Sequence, residues 1–310
     1  MKTIREVLEY LLFLMVKMFV FILPRPVCLS WGRMVGSLAY FFDKKHRLIA
    51  QGNLKTAFAP QISTQFLRKT SLECFQNFGQ VVVDTLKFSF LSHRKKSRIL
   101  AVEGEKNLDQ ALNQGRGVLL FSAHYGNWEI ASFFFSQKGK LKVIARPLDN
   151  KLLDKQLQKI RKNLGSEVIS KYQATRPILH SLGAKEMVAF LIDQNVLHSQ
   201  AVFVDFFGKK AATTPSLATF FSRTRAPLVP AFCYPLSSDR YVLKIHPPVH
   251  VSQKGHPEDV LKITQICTKI IEAQIRKNPN YWFWFHRRWK TRPEGEDKDR
   301  QSSEVHQIQS

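Results

Sequence analysis

The sequence predicts an α/β fold with a central, mostly parallel or mixed β-sheet flanked by helices on both faces. After Arg98, short apolar runs alternate with stretches whose apolar residues recur at helical spacing. Before Arg98 the pattern is helical almost throughout. A chain of 310 residues that is 44% hydrophobic can also bury a substantial core. We therefore expect an N-terminal hydrophobic helix, a helical lead-in and one large α/β domain.

The first predicted element is a hydrophobic segment over Val7–Leu23, interrupted by Glu9 and Lys17. No small-residue cleavage site follows it, so we expect the segment to stay on the mature protein. It is at the lower length limit for a spanning helix, and it could also lie flat in a membrane interface. A buried core helix is the less favoured alternative. Two stripes support an interfacial helix: polar Arg5, Glu9 and Lys17, and apolar Leu12, Val16, Phe19, Val20 and Leu23.

Pro24 and Pro26 predict the end of this helix, so we expect a membrane anchor over residues 1–25. A helical lead-in follows from Trp31 to about Arg98, most clearly over Gln65–Leu91. The main domain should then cover residues 26–293. Residues 294–310 carry five acids and two bases and predict a polar, disordered tail.

The remaining elements follow from the apolar runs and the turn residues between them. The predicted strands are Val118–Ser122, Val143–Arg146, Glu167–Ile169, Met187–Ile192, Leu228–Tyr234 and Tyr241–Ile245. The predicted helices are Trp128–Ser136, Lys151–Leu164, Thr175–Leu182, Pro215–Arg223 and Glu258–Lys277.

The charge balance predicts anionic partners. Lysine and arginine total 47 against 24 acids, which gives a net charge of +23. Nucleic acid, phosphorylated small molecules, acidic proteins and anionic membranes all fit such a surface. The 24 phenylalanines lack a repeating single-strand-binding pattern, which favours lipid over nucleic acid. Four isolated cysteines, without a C-x-x-C pair, favour a reducing compartment.

The most informative motif is His124-Tyr-Gly-Asn-Trp-Glu129, directly after the strand predicted at Val118–Ser122. Ligands of α/β sheets bind at the carboxyl ends of strands. Gly126 and Asn127 can form a tight turn, which would place Glu129 in the first helical turn with its carboxylate near the His124 imidazole. Such a pair predicts a general base and its orienting carboxylate. A histidine that caps the helix or hydrogen-bonds in the core is the alternative.

Other constellations are weaker. His246 and His250 are separated by prolines and lack a completing ligand, so we predict a solvated loop and no metal. No G-x-S-x-G motif accompanies Ser122, and the glycines flanking Arg116 predict a turn.

Two aromatic regions leave alternatives open. Tyr281–Lys290 could stack nucleic acid, be buried, or form an aromatic belt at a membrane interface, and we favour the belt. Phe206-Phe207 and Phe220-Phe221 could line an acyl-chain groove, with core packing expected for at least half of them.

Several sequence motifs, in their order along the chain, resemble those of the late acyltransferases of lipid A biosynthesis. These are the lauroyl and myristoyl transferases within the wider lysophospholipid acyltransferase superfamily. The resemblance covers most of the chain, including the hydrophobic N-terminus. His124–Glu129 matches the H-x-x-x-x-(D/E) signature. The other matching strings are Arg146–Asn150, Arg161, Asp193–Asn195, Val204–Gly208, Thr213–Pro215 and Trp282–Lys290.

The resemblance implies acyl transfer from an acyl carrier protein thioester to a hydroxyl of a phosphorylated glucosamine-based lipid A precursor, without a cofactor. His124 would be the general base and Glu129 its partner. Arg161 would bind substrate phosphate or the developing oxyanion, and Asp193 would hold that arginine or the acceptor. Arg146 and Gln194 would also contact substrate. Because a thioester is already activated, a direct ternary reaction suffices.

The expected location is the cytoplasmic face of a bacterial inner membrane, on an anionic surface and without nucleic acid. Two alternatives stay open. One is a lysophospholipid or other glycolipid acyltransferase that uses a coenzyme A thioester. The other is a non-catalytic basic protein that binds membrane or nucleic acid.

Overall fold

The computed structural model describes residues 2–60, 62–251 and 258–294. Within them lie eleven α-helices and nine β-strands. The helices are α1 (Lys2–Ile22), α2 (Arg25–Phe42), α3 (Lys44–Phe58), α4 (Thr64–Phe90), α5 (His93–Ile99), α6 (Glu105–Leu112), α7 (Ala131–Lys138), α8 (Lys151–Asn163), α9 (Thr175–Gly183), α10 (Ser216–Thr224) and α11 (Glu258–Lys277). The strands are β1 (Leu100–Glu103), β2 (Val118–Ser122), β3 (Leu141–Ala145), β4 (Ser166–Ser170), β5 (Met187–Leu191), β6 (Val202–Phe206), β7 (Lys209–Thr213), β8 (Leu228–Pro235) and β9 (Tyr241–Ile245).

Seven strands form one mixed sheet in the order β1-β9-β8-β2-β5-β3-β4. All neighbours are parallel except β8 and β9, so β1 and β9 run opposite to the other five strands. The mostly parallel or mixed sheet is therefore confirmed. All six predicted strands are present, with ends that differ by at most two residues.

Helices cover both faces of the sheet, as predicted. Alternate residues of β2 enter opposite cores because successive side chains of a strand point to opposite faces. Leu119 and Phe121 pack in the core that contains residues of α9, α10 and α11. Val118 and Leu120 pack in the core that contains residues of α6 and α7.

The structure contains elements that the sequence did not predict, and one predicted helix begins later than expected. The elements β1 and α6, and the β6–β7 hairpin, were not expected. The hairpin pairs Val202–Phe206 with Lys209–Thr213 outside the main sheet. Lys209 and Lys210 obscure the strand signal there, because one end of β7 is exposed while its other residues are buried. The helix predicted from Trp128 begins at Ala131, since residues 128–130 form a turn.

The helical lead-in is confirmed as four helices, α2 to α5, and α2 lies close against α4. A Cβ at Gly36 would lie 2.3 Å from the Phe75 carbonyl oxygen. The absence of a side chain at Gly36 therefore permits the close backbone approach of the two helices. Ser63 begins α4 by accepting a hydrogen bond from the Phe66 amide at 3.1 Å.

Helix α1 occupies the region of the predicted anchor. Among the described residues, no helix is both long enough and apolar enough to cross a membrane. Of the predicted apolar stripe, Val20 is buried, whereas Leu12 and Phe19 are exposed. The polar stripe is not free: Lys17 Nζ donates to Gln156 Oε1 at 3.0 Å on α8. Helix α1 therefore lies against the domain with a wide apolar face left uncovered.

The aromatic segment at Tyr281–Lys290 is largely buried, so the predicted interfacial belt is wrong for its tryptophans. Trp282, Trp284 and Trp289 all lie in the core. The segment also supplies the fully buried Arg288, which donates to the Ala212 carbonyl oxygen at 2.6 Å. The core alternative is confirmed here, and also for the phenylalanine pairs Phe206-Phe207 and Phe220-Phe221.

All four cysteines are buried and free, which agrees with the absence of a disulfide pattern. Of the predicted tail, residues 295–310 lie outside the described residues.

Candidate active site

The site lies at the carboxyl ends of the neighbouring strands β2 and β5. The two strands are parallel, and their register pairs Ser122 with Leu191. His124 lies two residues after Ser122, and Asp193 lies two residues after Leu191. The same register therefore brings together two side chains that are 69 positions apart in the chain.

Asp193 holds the imidazole of His124. His124 Nδ1 lies 2.8 Å from Asp193 Oδ1, and the His124 backbone amide donates to Asp193 Oδ2 at 2.9 Å. The Trp282 indole N–H donates to Oδ2 at 2.7 Å. With Nδ1–H directed at the carboxylate, the ring carries its lone pair on Nε2. This is the arrangement of a base whose tautomer is set by a buried acid.

The electrostatics of Asp193 follow from these contacts. Burial by itself would raise the pKa of the carboxyl group, whose side chain is 2% exposed. Attraction to His124 and the hydrogen bonds from His124 and Trp282 outweigh burial and lower the pKa of Asp193 to about 2. The aspartate is therefore a fixed negative charge behind the ring. The His124 side chain is 21% exposed, so the ring remains accessible.

The turn after His124 is held by backbone contacts on both sides. The Gly126 amide donates to the Tyr281 carbonyl at 2.9 Å, and the Asn127 amide donates to the Cys233 carbonyl at 2.8 Å. Gly126 has a φ of 57°. A Cβ at this position would lie 2.1 Å from the Cys233 carbonyl oxygen. Only glycine fits both the conformation and the space.

The predicted contact between Glu129 and the His124 ring does not form, and Asp193 takes that place. Glu129 instead pairs with Arg161 of α8. Arg161 Nη2 donates to Glu129 Oε1 at 2.6 Å, and Arg161 Nε lies 3.1 Å from both carboxylate oxygens. The physical reason is that residues 128–130 form a turn before α7, so Glu129 is not in the first helical turn as expected.

The Glu129–Arg161 pair is largely shielded from solvent, with side chains 11% and 15% exposed. Burial opposes the charge on Arg161, but attraction to Glu129 and its hydrogen bonds outweigh burial and raise the pKa of Arg161. Arg161 therefore stays a cation. Of the two partners expected for Asp193, which were Arg161 and the acceptor, Arg161 is wrong, because Asp193 pairs with His124 and Arg161 pairs with Glu129.

The two remaining predicted residues differ in position. Gln194 Nε2 lies 3.4 Å from His124 Nε2, on the open side of the ring. Arg146 directly follows β3, is exposed, and pairs with Asp149 at 2.6 Å. The structure thus places Gln194 beside His124 and gives Arg146 no contact with the His124–Asp193 pair.

Two residues of the site were not predicted from the sequence. Trp282 is the indole donor to Asp193, and Trp128 packs edge-on against the His124 ring at 5.0 Å between centroids. Trp128 lies inside the motif, so the motif could have indicated it. Trp282 reaches the site through long-range contacts, among them a β-bridge to Tyr125.

Two cavities meet at Trp128. A cleft beside His124 is lined by Asn77, Gln80 and Tyr241, together with aromatic side chains. The second cavity, which we call the apolar cavity, runs between the sheet and α7. Most of its lining is apolar, and its charged residues are Glu129 and Arg161. Trp128 lines both spaces, so the cleft beside His124 and the cavity that contains Arg161 are neighbours on either side of its indole.

The predicted solvated histidine loop is wrong for one of its two members. His246 is half-buried and lies 5.7 Å from the Phe232 ring, whereas His250 is exposed. Burial lowers the pKa of His246. In the described part of the chain, no group of three or more histidine, cysteine or acidic residues could hold a metal ion.

One protein family matches almost the whole chain. The sequence profile described as bacterial lipid A biosynthesis acyltransferase matches residues 1–291. The lipid A biosynthesis palmitoleoyltransferase and lauroyltransferase of Escherichia coli are each 29% identical over 276 residues, 88% of this chain and 88% of theirs. A phosphatidylinositol mannoside acyltransferase of Mycobacterium tuberculosis is 26% identical over 220 residues, 69% of this chain and 68% of its own.

Among solved structures, the 1-acyl-sn-glycerophosphate acyltransferase of Thermotoga maritima matches with a TM-score of 0.38 and 13% identity. The match covers 82% of this chain and 97% of that one. A similarity at this level supports no inference about function.

Proposed function

The chain belongs to the bacterial lipid A biosynthesis acyltransferase family and is therefore an acyltransferase, and we propose that it acylates a hydroxyl of a phosphorylated lipid A precursor with acyl carrier protein as the donor. The family assignment confirms the resemblance and removes the non-catalytic alternative. One observation carries the proposal: His124 presents Nε2 to the cleft while buried Asp193 holds Nδ1.

In the proposed reaction, His124 Nε2 takes the proton of the acceptor hydroxyl as its oxygen attacks the thioester carbonyl carbon. The tetrahedral intermediate then collapses with cleavage of the C–S bond, and the proton on Nε2 passes to the departing sulfur. An ester and a free thiol result, and the imidazole is neutral again. Asp193 stabilises the imidazolium that forms between the two steps.

Arg161 is the proposed stabiliser of the negative charge on the carbonyl oxygen. It is the cation among the residues that line the apolar cavity, and Glu129 fixes two of its nitrogens. A charge held in a shielded site stabilises a developing oxyanion without reorganisation at the moment of reaction. Glu129 is thereby a positioning residue for Arg161, in place of the role as partner of His124 that we first expected.

The apolar cavity is the proposed site of the transferred acyl chain. Its walls include Leu120 of β2, Val143 of β3 and Phe135 of α7. Apolar surface of this kind favours a hydrocarbon chain over water. The phenylalanine pairs Phe206-Phe207 and Phe220-Phe221 lie elsewhere, in the core.

A direct transfer without an acyl-enzyme is supported by the state of the cysteines. Cys74 lines the cleft beside His124, but burial raises the pKa of its thiol to about 12. Burial also raises the pKa of Cys233 and takes that of Cys267 to about 12. A thiol rather than a thiolate is a poor nucleophile.

The proposed location is the cytoplasmic side of an inner membrane, with the protein held by two helices. Exposed apolar side chains occur along α1 and continue on α2, where Phe42 is 84% exposed. They include Leu8, Leu12, Met15, Phe21, Met34, Leu38 and Phe41. A continuous apolar surface with basic surroundings is typical of an interfacial membrane protein. The net charge of +23 suits both an anionic bilayer and an acidic carrier protein.

The test is an assay of purified protein with acyl carrier protein and coenzyme A thioesters of the same chain, with a phosphorylated lipid A precursor as acceptor. We expect acylated product, with the carrier protein the better donor. His124→Ala should lower kcat by at least roughly a hundredfold, while His250→Ala, at an exposed histidine, should not. Equal or better use of coenzyme A would favour the lysophospholipid acyltransferase alternative, and a fully active His124→Ala variant would contradict the mechanism.

A further inference from the structure

A third cavity, with a mixed apolar and basic lining, lies beside the junction of α1 and α2. Its cations are Arg25, Lys87, Lys95 and Arg98. Its apolar walls are Ile22, Leu23, Pro24, Leu91 and Ile99. None of these lining residues is acidic. We call this space the basic groove.

The four cations are not equivalent. Arg25 is paired with Asp84, to which it donates two hydrogen bonds of 2.7 Å. Lys87 is committed to the carboxyl end of α1, where its Nζ donates to the carbonyl oxygens of Val20 at 2.9 Å and Phe21 at 3.1 Å. Lys95 and Arg98 are exposed, and the described part of the chain offers them no acidic partner. Being three residues apart on α5, they lie on one face of that helix.

The basic groove is separate from the catalytic cleft but lies on the same edge of the sheet. Strand β1 begins where α5 ends and runs antiparallel to β2, so its amino end lies at the edge where β2 ends. Three strand spacings separate β1 from β2, which is about 14 Å.

A buried ion pair stands between the two spaces. Arg25 lines the basic groove, Tyr241 lines the catalytic cleft, and the Arg25 guanidinium lies 5.7 Å from the Tyr241 ring. Asp84, which is fully buried, holds Arg25 in that position. The groove is therefore not a branch of the cleft.

We propose that the basic groove binds the phosphate and part of the acyl chain of an anionic phospholipid of the bilayer. Two unpaired cations supply charge complementarity to a phosphate. The apolar wall is continuous with the uncovered face of α1, since Ile22 at its end is 70% exposed. A lipid in this groove would fix the depth and direction of α1 and α2 at the membrane. The inference deepens the proposed membrane association, on which it depends for the source of the lipid.

The experiment measures binding of monomeric lysophosphatidylglycerol to the full-length protein, with lysophosphatidylcholine as the neutral comparison. The test variant combines Lys95→Ala with Arg98→Ala. The matched control combines Arg68→Ala with Lys69→Ala, which removes the same two charges from exposed positions on α4. That control lies about 28 Å along α4 from Lys87.

We expect the test variant to lose at least about tenfold in affinity for the anionic lysolipid, which corresponds to one or two charge-assisted hydrogen bonds. The control should change less than about twofold. Neither pair of substitutions should affect the weak binding of the neutral lysolipid. Glycerophosphoglycerol, the headgroup without a chain, should bind more weakly than the lysolipid.

Several results would overturn the proposal. They are unchanged affinity in the test variant, equal losses in test and control variants, or headgroup binding as tight as lysolipid binding. A raised KM for the phosphorylated acceptor in neutral detergent would reassign the groove to the substrate. Dependence of acyl carrier protein binding alone on Lys95 and Arg98 would reassign it to the donor. Because lysolipid binding needs no catalysis, failure of the proposed acyl transfer would be seen separately.

Discussion

Asp193 is the residue on which the geometry of His124 depends most. It receives hydrogen bonds from the ring, from the His124 backbone amide and from the Trp282 indole, so the carboxylate fixes both the ring and the strand end that carries it. A carboxylate so placed determines which ring nitrogen carries the proton.

Asp193→Asn should lower kcat by about a hundredfold or more with a smaller effect on KM, because the neutral amide no longer stabilises the imidazolium. Trp282→Phe keeps the His124–Asp193 contact and removes only one donor, so its loss should be smaller. Steady-state kinetics on both purified variants check the order. An Asp193→Asn enzyme as active as Trp282→Phe would show that Asp193 does not orient the base.

The Glu129–Arg161 pair calls for a double-mutant cycle. Glu129→Gln or Arg161→Met alone leaves one shielded charge without its partner and should lower the free energy of unfolding by about 3 kcal/mol. The double variant should lose less than the sum of the two. Denaturant unfolding gives the coupling, and the assay separates stability from chemistry.

Activity should stay low in the double variant even where stability recovers, because that variant lacks the cation that we propose as the stabiliser of the oxyanion. An active double variant would assign the pair a structural role only.

At the scale of elements, the active-site turn is defined by how closely it approaches its neighbours. Strand β8 and the segment at Tyr281 hold it from two sides through backbone hydrogen bonds. The turn therefore depends on segments far apart in the chain, and its shape leaves no room for a side chain at Gly126.

Gly126→Ala should destabilise the protein by about 3 kcal/mol or more and abolish activity, because positive φ and steric overlap with Cys233 act together. Gly208→Ala is the matched control, with a φ of 72° and nothing within 4 Å of the added Cβ. Thermal unfolding of both variants isolates the steric part. Equal losses would mean that backbone strain alone decides.

At the scale of the whole molecule, the segment at Trp282–Lys290 connects the site to the core. His286 is an example: its Nε2 accepts a hydrogen bond from the Asn195 amide at 2.6 Å, next to Asp193 and Gln194. Burial, reinforced by the nearby charge of Arg288, lowers the pKa of His286 to about 4, so this histidine is neutral in the folded protein at neutral pH.

Folding stability should consequently decrease when the pH is lowered below about 6.5. Between about pH 6.5 and pH 4 the unfolded chain binds a proton at His286 that the folded chain excludes, so stability declines as pH falls through that window. The slope from this residue is at most about 1.4 kcal/mol per pH unit. Denaturant unfolding at pH 7 and pH 5 should show a shallower dependence in His286→Gln, whose amide oxygen can still accept the Asn195 hydrogen bond. Parallel curves for the two proteins would contradict this assignment.

Local patterns in the sequence were sufficient for much of the fold. The alternation after Arg98 predicted six of the seven strands of the sheet, and helical spacing predicted α8, α9, α10 and α11 within one or two residues at their ends. The position of His124 after a predicted strand made it a candidate base, and the resemblance to the family favoured that role over a capping or core histidine. These features depend on neighbours along the chain, which periodicity records directly.

The partners of the site were decided only by tertiary structure. Asp193 reaches His124 because β5 happens to be the parallel neighbour of β2 in register, and no local pattern states which strands are neighbours. Glu129 turns to Arg161 because the turn before α7 is held by contacts with β8 and Tyr281. The aromatic run at Trp282–Trp289 is buried rather than interfacial for the same reason: composition favours both environments, and only long-range packing chooses between them.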